Sequence, residues 1–122
     1  MTNIETFAAV FDRLKQIAQR YADKLIVSKD SPGNYYLDTN YIRDNERALF
    51  FGAVQVKKYY VSYHLMPLYV FPELKETISP QLKKRMQGKA CFNFRSVNEE
   101  LFKELAELSD RGLAKYQEAG YI

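Results

Sequence analysis

His64 and Cys91 are the only histidine and the only cysteine in the chain. Brought together, they could do nucleophilic chemistry, because an imidazole can take a thiol proton or stabilise the thiolate. The sequence offers no third group to orient the imidazole, and no glycine-rich turn marks an oxyanion hole. The plainer expectation is a buried structural cysteine beside a hydrogen-bonded strand histidine, with no catalytic residue. Metal chemistry is no better supplied, since one His and one Cys cannot fill a structural zinc shell without carboxylates. Carboxylates do gather near the C-terminus, at Glu99, Glu100, Glu104, Glu107 and Asp110. Lys103 and Arg111 lie among them at i,i+4 from acidic partners, which is the pattern of a solvated helix. No metal and no cofactor is expected.

The densest basic cluster is Lys83, Lys84, Arg85 and Lys89. Arginine offers a planar fork of donors that suits phosphate or carboxylate. Cations near the end of a short helix also satisfy its carbonyls and dipole, so the cluster has a structural reading beside the functional one. Nucleic acid is not favoured. The net charge is only +3, and apart from Tyr59 and Tyr60 after Lys57 and Lys58 the basic residues are not interleaved with aromatic rings.

These residues must be positioned by elements that the periodicity suggests. Ile4, Phe7, Phe11, Leu14, Ile17, Ala18 and Tyr21 recur at helical spacing, with Thr2 and Glu5 as a capping box. Short strands are expected over residues 25–28 and 35–37, around a type II turn at Pro32-Gly33, and then a loop over 38–47. The strongest β signal is Ala48–Val56 with residues 59–66, joined at Lys57-Lys58 so that Val56 opposes Tyr59 and Gly52 opposes Tyr63. One face would then carry Phe50, Gly52, Val54, Val61, Tyr63 and Leu65, and the other Phe51, Ala53, Gln55, Tyr60, Ser62 and His64. Ser79 and Pro80 begin a short helix that ends at Gly88. Residues 90–95 alternate as a strand that can bring Cys91 and Asn93 to the polar face. Ser96 and Glu99 form a second capping box, opening a terminal helix that ends at Gly120. The order implies an α+β fold: a mainly antiparallel sheet of about five strands, with the N- and C-terminal helices packed on one face.

At 122 residues the chain fits one domain spanning residues 1–122. Ten Tyr, eight Phe and no Trp put many amphipathic rings at sheet edges and cleft walls. The lone cysteine excludes an intrachain disulfide. The N-terminal residues lack the charged and apolar regions of a signal peptide, and no apolar run approaches a bilayer span, so a cytoplasmic address and no membrane are expected.

Two stretches carry a family likeness. They are Tyr59-Tyr60-Val61-Ser62-Tyr63-His64-Leu65-Met66-Pro67-Leu68-Tyr69 and Lys84-Arg85-Met86-Gln87-Gly88-Lys89-Ala90-Cys91-Phe92-Asn93-Phe94. With Ile78-Ser79-Pro80 and the flanking helices, the chain resembles the DUF1801, or YdhG-like, family of small bacterial proteins. The resemblance implies a compact α+β fold of frataxin-like shape and a bacterial cytoplasmic origin. The family's function is largely unassigned, and some relatives carry a frataxin-like iron-chaperone label, which would require an acidic surface. Here the first helix has Glu5, Asp12 and Asp23 among several basic residues, and the overall charge is positive. That departs from the iron-handling pattern, and no binding residues are carried over.

The functional expectation is a binding or adaptor module rather than an enzyme, holding a small anionic ligand near the polar sheet face. Arg85 and Lys89 would supply charge-assisted bonds, and His64, Tyr69 and Asn93 neutral ones. The alternatives are an iron-handling protein using the terminal helix and a homodimeric interaction domain using exposed tyrosines.

Overall fold

The first helical repeat forms α1, Asn3–Gln19, in the computed structural model, which describes residues 3–42 and 47–122. Thr2 lies outside the described residues, and with it the expected capping box. Phe7, Val10, Phe11, Leu14, Ile17 and Ala18 are buried, as one face of a helix requires. The chain then enters β1, Ile26–Ser31, turns at Pro32-Gly33, and returns as β2, Asn34–Ile42. Gly33 has φ +75°, the left-handed value that the expected turn demands. The loop expected over 38–47 is in part strand, because residues 38–42 continue β2. Thr39 anchors this extension by donating to the Leu49 carbonyl at 2.7 Å. Residues 43–46 lie outside the described residues.

Next come β3, Ala48–Val56, and β4, Val61–Leu65. Val56 pairs with Val61, Val54 with Tyr63 and Gly52 with Leu65, so four residues rather than two make the turn. The Lys57 amide donates to the Tyr60 carbonyl at 2.8 Å and closes it. The register therefore differs by two from the expected one, a shift that leaves each side chain on its expected face. A bulge in β3 has the opposite effect. Leu37 opposes Gly52 and Asp38 opposes Phe50, which leaves Phe51 as the extra residue. Phe51 turns into the core against Tyr21 and Tyr116, while Phe50 turns to the other face beside Tyr36 and His64. The expected faces of Phe50 and Phe51 are exchanged.

After β4 the chain forms α2, Pro67–Val70, a 3₁₀ turn, Pro72–Thr77, and α3, Pro80–Lys83. Ser79 caps α3 as expected, accepting from the Leu82 amide at 3.2 Å. The helix ends at Lys83, short of Gly88. The next residues form a strand that was not expected, β5, Met86–Gln87, which pairs with β6, Cys91–Phe94. The terminal helix is α4, Glu99–Glu118. Its cap is Asn98, whose side chain accepts from the Leu101 amide at 3.1 Å, and not Ser96.

All neighbouring strands are antiparallel, in the order β1-β2-β3-β4-β6-β5. α1 and α4 run in the same direction across one face. Arg13 reaches Glu99 at 2.6 Å at the start of α4, and Arg20, just past the end of α1, reaches Asp110 at 3.1 Å further along α4. Between them and the sheet lies one core in which Val10, Leu14, Val54, Val61, Leu65, Phe92 and Leu105 are fully enclosed. The phenols in this core are satisfied: Tyr63 bonds Ser109 at 2.7 Å, and Tyr116 donates to the Phe50 carbonyl at 2.8 Å. Among the described residues no buried side-chain nitrogen or oxygen lacks a hydrogen-bond partner. Nor is any described helix long and apolar enough to cross a membrane.

Candidate functional site

The uncovered face of the sheet holds a shallow depression of about 200 Å³, lined by Gln55, Lys57, Tyr60, Ser62, His64, Gln87, Cys91 and Asn93. The strand register builds it, since His64 pairs directly with Cys91 and Ser62 with Asn93 across β4 and β6. Asn93 donates from its side chain to Gln87 at 2.5 Å, which ties β6 to β5. The His64 ring lies 4.7 Å from that of Phe50.

The only histidine and the only cysteine are thus cross-strand neighbours, yet their electrostatics are wrong for a nucleophilic pair. Burial, then the charge of Lys57, holds the His64 imidazole below its ordinary pKa. Burial pushes the Cys91 thiol up, outweighing a hydrogen bond with Ser62 and the charge of Lys57, which pull it down. A thiolate–imidazolium pair needs both shifts reversed. At neutral pH the depression presents a neutral thiol, a neutral imidazole and three amides, with the Lys57 ammonium at its edge.

The expected ligand residues fall in three places. His64 and Asn93 line the depression. Tyr69 and Lys89 meet at the edge of the molecule where α2 faces the β5–β6 turn, with the Lys89 ammonium 5.6 Å from the ring centroid. A cation on an exposed ring is worth only about 0.5–1 kcal/mol, and it occupies both side chains with each other. Arg85 belongs to a third place. It lines a recess of about 330 Å³ with Gln81, Lys84, Phe94, Arg95, Ser96, Asn98 and Leu101.

This recess has the chemistry that the depression lacks. Lys84, Arg85 and Arg95 supply three cations, and no carboxylate is among the lining residues. Among the described residues none of the three forms an ion pair. The backbone brings them together because the Asn93 amide donates to the Arg85 carbonyl at 2.8 Å, holding the α3 exit against the end of β6. The start of α4 lies at the same rim and adds the positive end of a helix. Sequence spacing marked Lys84 and Arg85 but passed over Arg95, whose only signal was its place at the end of an alternating strand.

Three carboxylates of the acidic α4 face are committed elsewhere. Glu99 pairs with Arg13, Asp110 with Arg20 and Tyr21, and Glu104 accepts from the Ser79 amide and hydroxyl at 2.8 and 2.6 Å. Among the described residues no group of three or more His, Cys, Asp or Glu is placed to hold a metal ion. No family model matches the chain, and no curated protein or solved structure matches it, which leaves the residues themselves to carry the functional reading.

Proposed function

We propose that the protein is a non-enzymatic binding module for a small anion, held in the recess of Lys84, Arg85 and Arg95. The observation that supports this reading is the concentration of three cations without ion-pair partners around a concavity that no carboxylate lines. A compact phosphate, sulfate or polycarboxylate suits it, because a guanidinium can grip two of its oxygens at once. Ser96 and Gln81 add neutral donors at the rim. The His64 depression is the weaker place for a negative charge, since its imidazole is neutral at pH 7. The iron-handling alternative draws no support from α4, where Glu99, Glu104 and Asp110 are held by Arg13, Ser79, Arg20 and Tyr21 and no described group of three or more ligating residues is placed to hold a metal ion. Membership of the DUF1801 group, with a cytoplasmic address, is part of the proposal and rests on the two stretches that suggested it.

The test is thermal unfolding with phosphate, sulfate and citrate, at fixed ionic strength against a chloride control. Fixing ionic strength removes general screening from the comparison. An anion at a hundred times its dissociation constant stabilises by about 2.7 kcal/mol. Arg85→Ala combined with Arg95→Ala should abolish that shift while leaving the unliganded midpoint near wild type, because both side chains are exposed. A wild-type shift that survives in the double variant, or no shift with any of the anions, defeats the proposal.

A further inference from the structure

A larger concavity lies elsewhere, where α1 passes over the β1–β2 and β3–β4 turns. It measures about 780 Å³, within the range of roughly 300–1,000 Å³ typical of small-molecule sites. Its apolar surface comes from Phe7, Ala8, Phe11, Pro32 and Val56. The two phenylalanines are fixed by the core beneath them, whereas Val56 is 38% exposed at the opposite wall.

The rim is charged and asymmetric. Lys15 is held by Asp30 at 2.8 Å, and that hydrogen bond is the main reason its pKa is raised. This pair cancels. Asp12 on α1 then faces Lys57 and Lys58 on the β3–β4 turn, so the lining residues carry one net positive charge. Neither Lys57 nor Lys58 forms an ion pair among the described residues. The Lys58 ammonium lies 5.4 Å from the Tyr59 ring, and Lys57 lines both this cleft and the His64 depression. An apolar floor with a single excess cation at one wall matches one kind of guest. A neutral hydrocarbon leaves the lysines unused, and a dianion overshoots the charge.

We propose that this cleft binds an amphipathic monoanion, an aliphatic or aromatic carboxylate. Its apolar body lies on Phe7, Phe11, Pro32 and Val56, and its carboxylate reaches Lys57 or Lys58. The site is separate from the basic recess and shares no lining residue with it.

Decanoate, kept below its micellar concentration, is the probe, with decanamide as its uncharged counterpart. Titration followed by amide and methyl NMR should give saturable shifts confined to Phe7, Phe11, Gly33, Val56, Lys57 and Lys58. Decanamide should bind about tenfold more weakly or worse, the effect of losing one charge-assisted contact. Lys57→Ala with Lys58→Ala, both exposed turn residues, should weaken decanoate by a similar factor and leave decanamide unchanged. Arg85→Ala with Arg95→Ala should alter neither, which keeps this result independent of the anion recess. The proposal fails if no saturable shift appears or if the shifts lie elsewhere. It also fails if decanamide matches decanoate, or if the lysine double variant binds decanoate like wild type.

Discussion

The two faces of the sheet are built from the same strands and obey different rules. On the helix-covered face, β6 presents Phe92 and Phe94 and β4 presents Val61, Tyr63 and Leu65, all at 2% exposure or less. One residue away on the same strands, Cys91, Asn93 and His64 lie only partly buried on the open face. The covered face stabilises by excluding water, and its few polar atoms are the phenols and hydroxyls that find partners in α4. The open face encloses less apolar area, so its side chains are expected to contribute less to stability. Enclosed and partly open positions are thus set apart by the pleat of a strand.

The sharpest way to break this comparison is to truncate neighbours. Phe92→Ala removes a fully enclosed ring and should cost about 3–5 kcal/mol in denaturant unfolding. Asn93→Ala, the next residue, loses an exposed amide contact with Gln87 and should fall within about 0.5 kcal/mol of wild type. Comparable losses at the two positions would mean that the open face is structural after all.

A smaller effect is expected where the faces meet, at Gly52. A methyl group there would lie 2.8 Å from the His64 carbonyl oxygen, which is strand backbone and cannot swing aside. Gly52→Ala should therefore cost about 1–3 kcal/mol through strain between β3 and β4. Retention of the wild-type midpoint would show that the bulge absorbs the clash.

The least expected effect belongs to His64 and appears only with pH. Its folded pKa is depressed, so the unfolded chain takes up the proton first as pH falls below about 6.5. Stability due to the neutral imidazole is complete above that value. It declines with falling pH until the folded pKa is reached, and then levels off. His64→Gln removes this component, and the gap between the two unfolding midpoints should change between pH 7.5 and about 5. Parallel pH profiles would show that His64 is hydrated enough to titrate normally.

Where a residue's conformation is fixed locally, the sequence was a good guide. Pro32-Gly33 and Ser79-Pro80 each carry their geometry in their own covalent structure, and both stand where expected. The Phe50/Phe51 exchange was not legible, because the run from Ala48 to Val54 is apolar throughout and gives no alternation for a bulge to interrupt. The length of the 57–60 turn was hidden for a similar reason: Tyr59 and Tyr60 suit a strand as well as a turn. Ser96 and Asn98 are both competent caps, and in the fold it is Asn98 whose side chain accepts from the Leu101 amide. The candidate sites were harder still. Arg85 and Arg95 are ten residues apart in sequence, and the apolar cleft draws on three segments between Phe7 and Lys58. Composition marks such residues as cations or apolar groups, but only the folded sheet makes them neighbours.

The edges of the sheet carry a consequence for how copies of this chain meet. One edge, β1, is exposed along its length, yet its ladder to β2 is interrupted by a bulge between Val27 and Lys29, and Lys29 and Asp30 put charge at its end. The other edge, β5, is two residues long. A strand from a second molecule would find a kinked, charged template on one side and almost no template on the other. Growth by adding strands edge to edge, the route to fibrils, is therefore resisted at both margins, even though the strands between them are rich in the aromatic and β-branched residues that favour it.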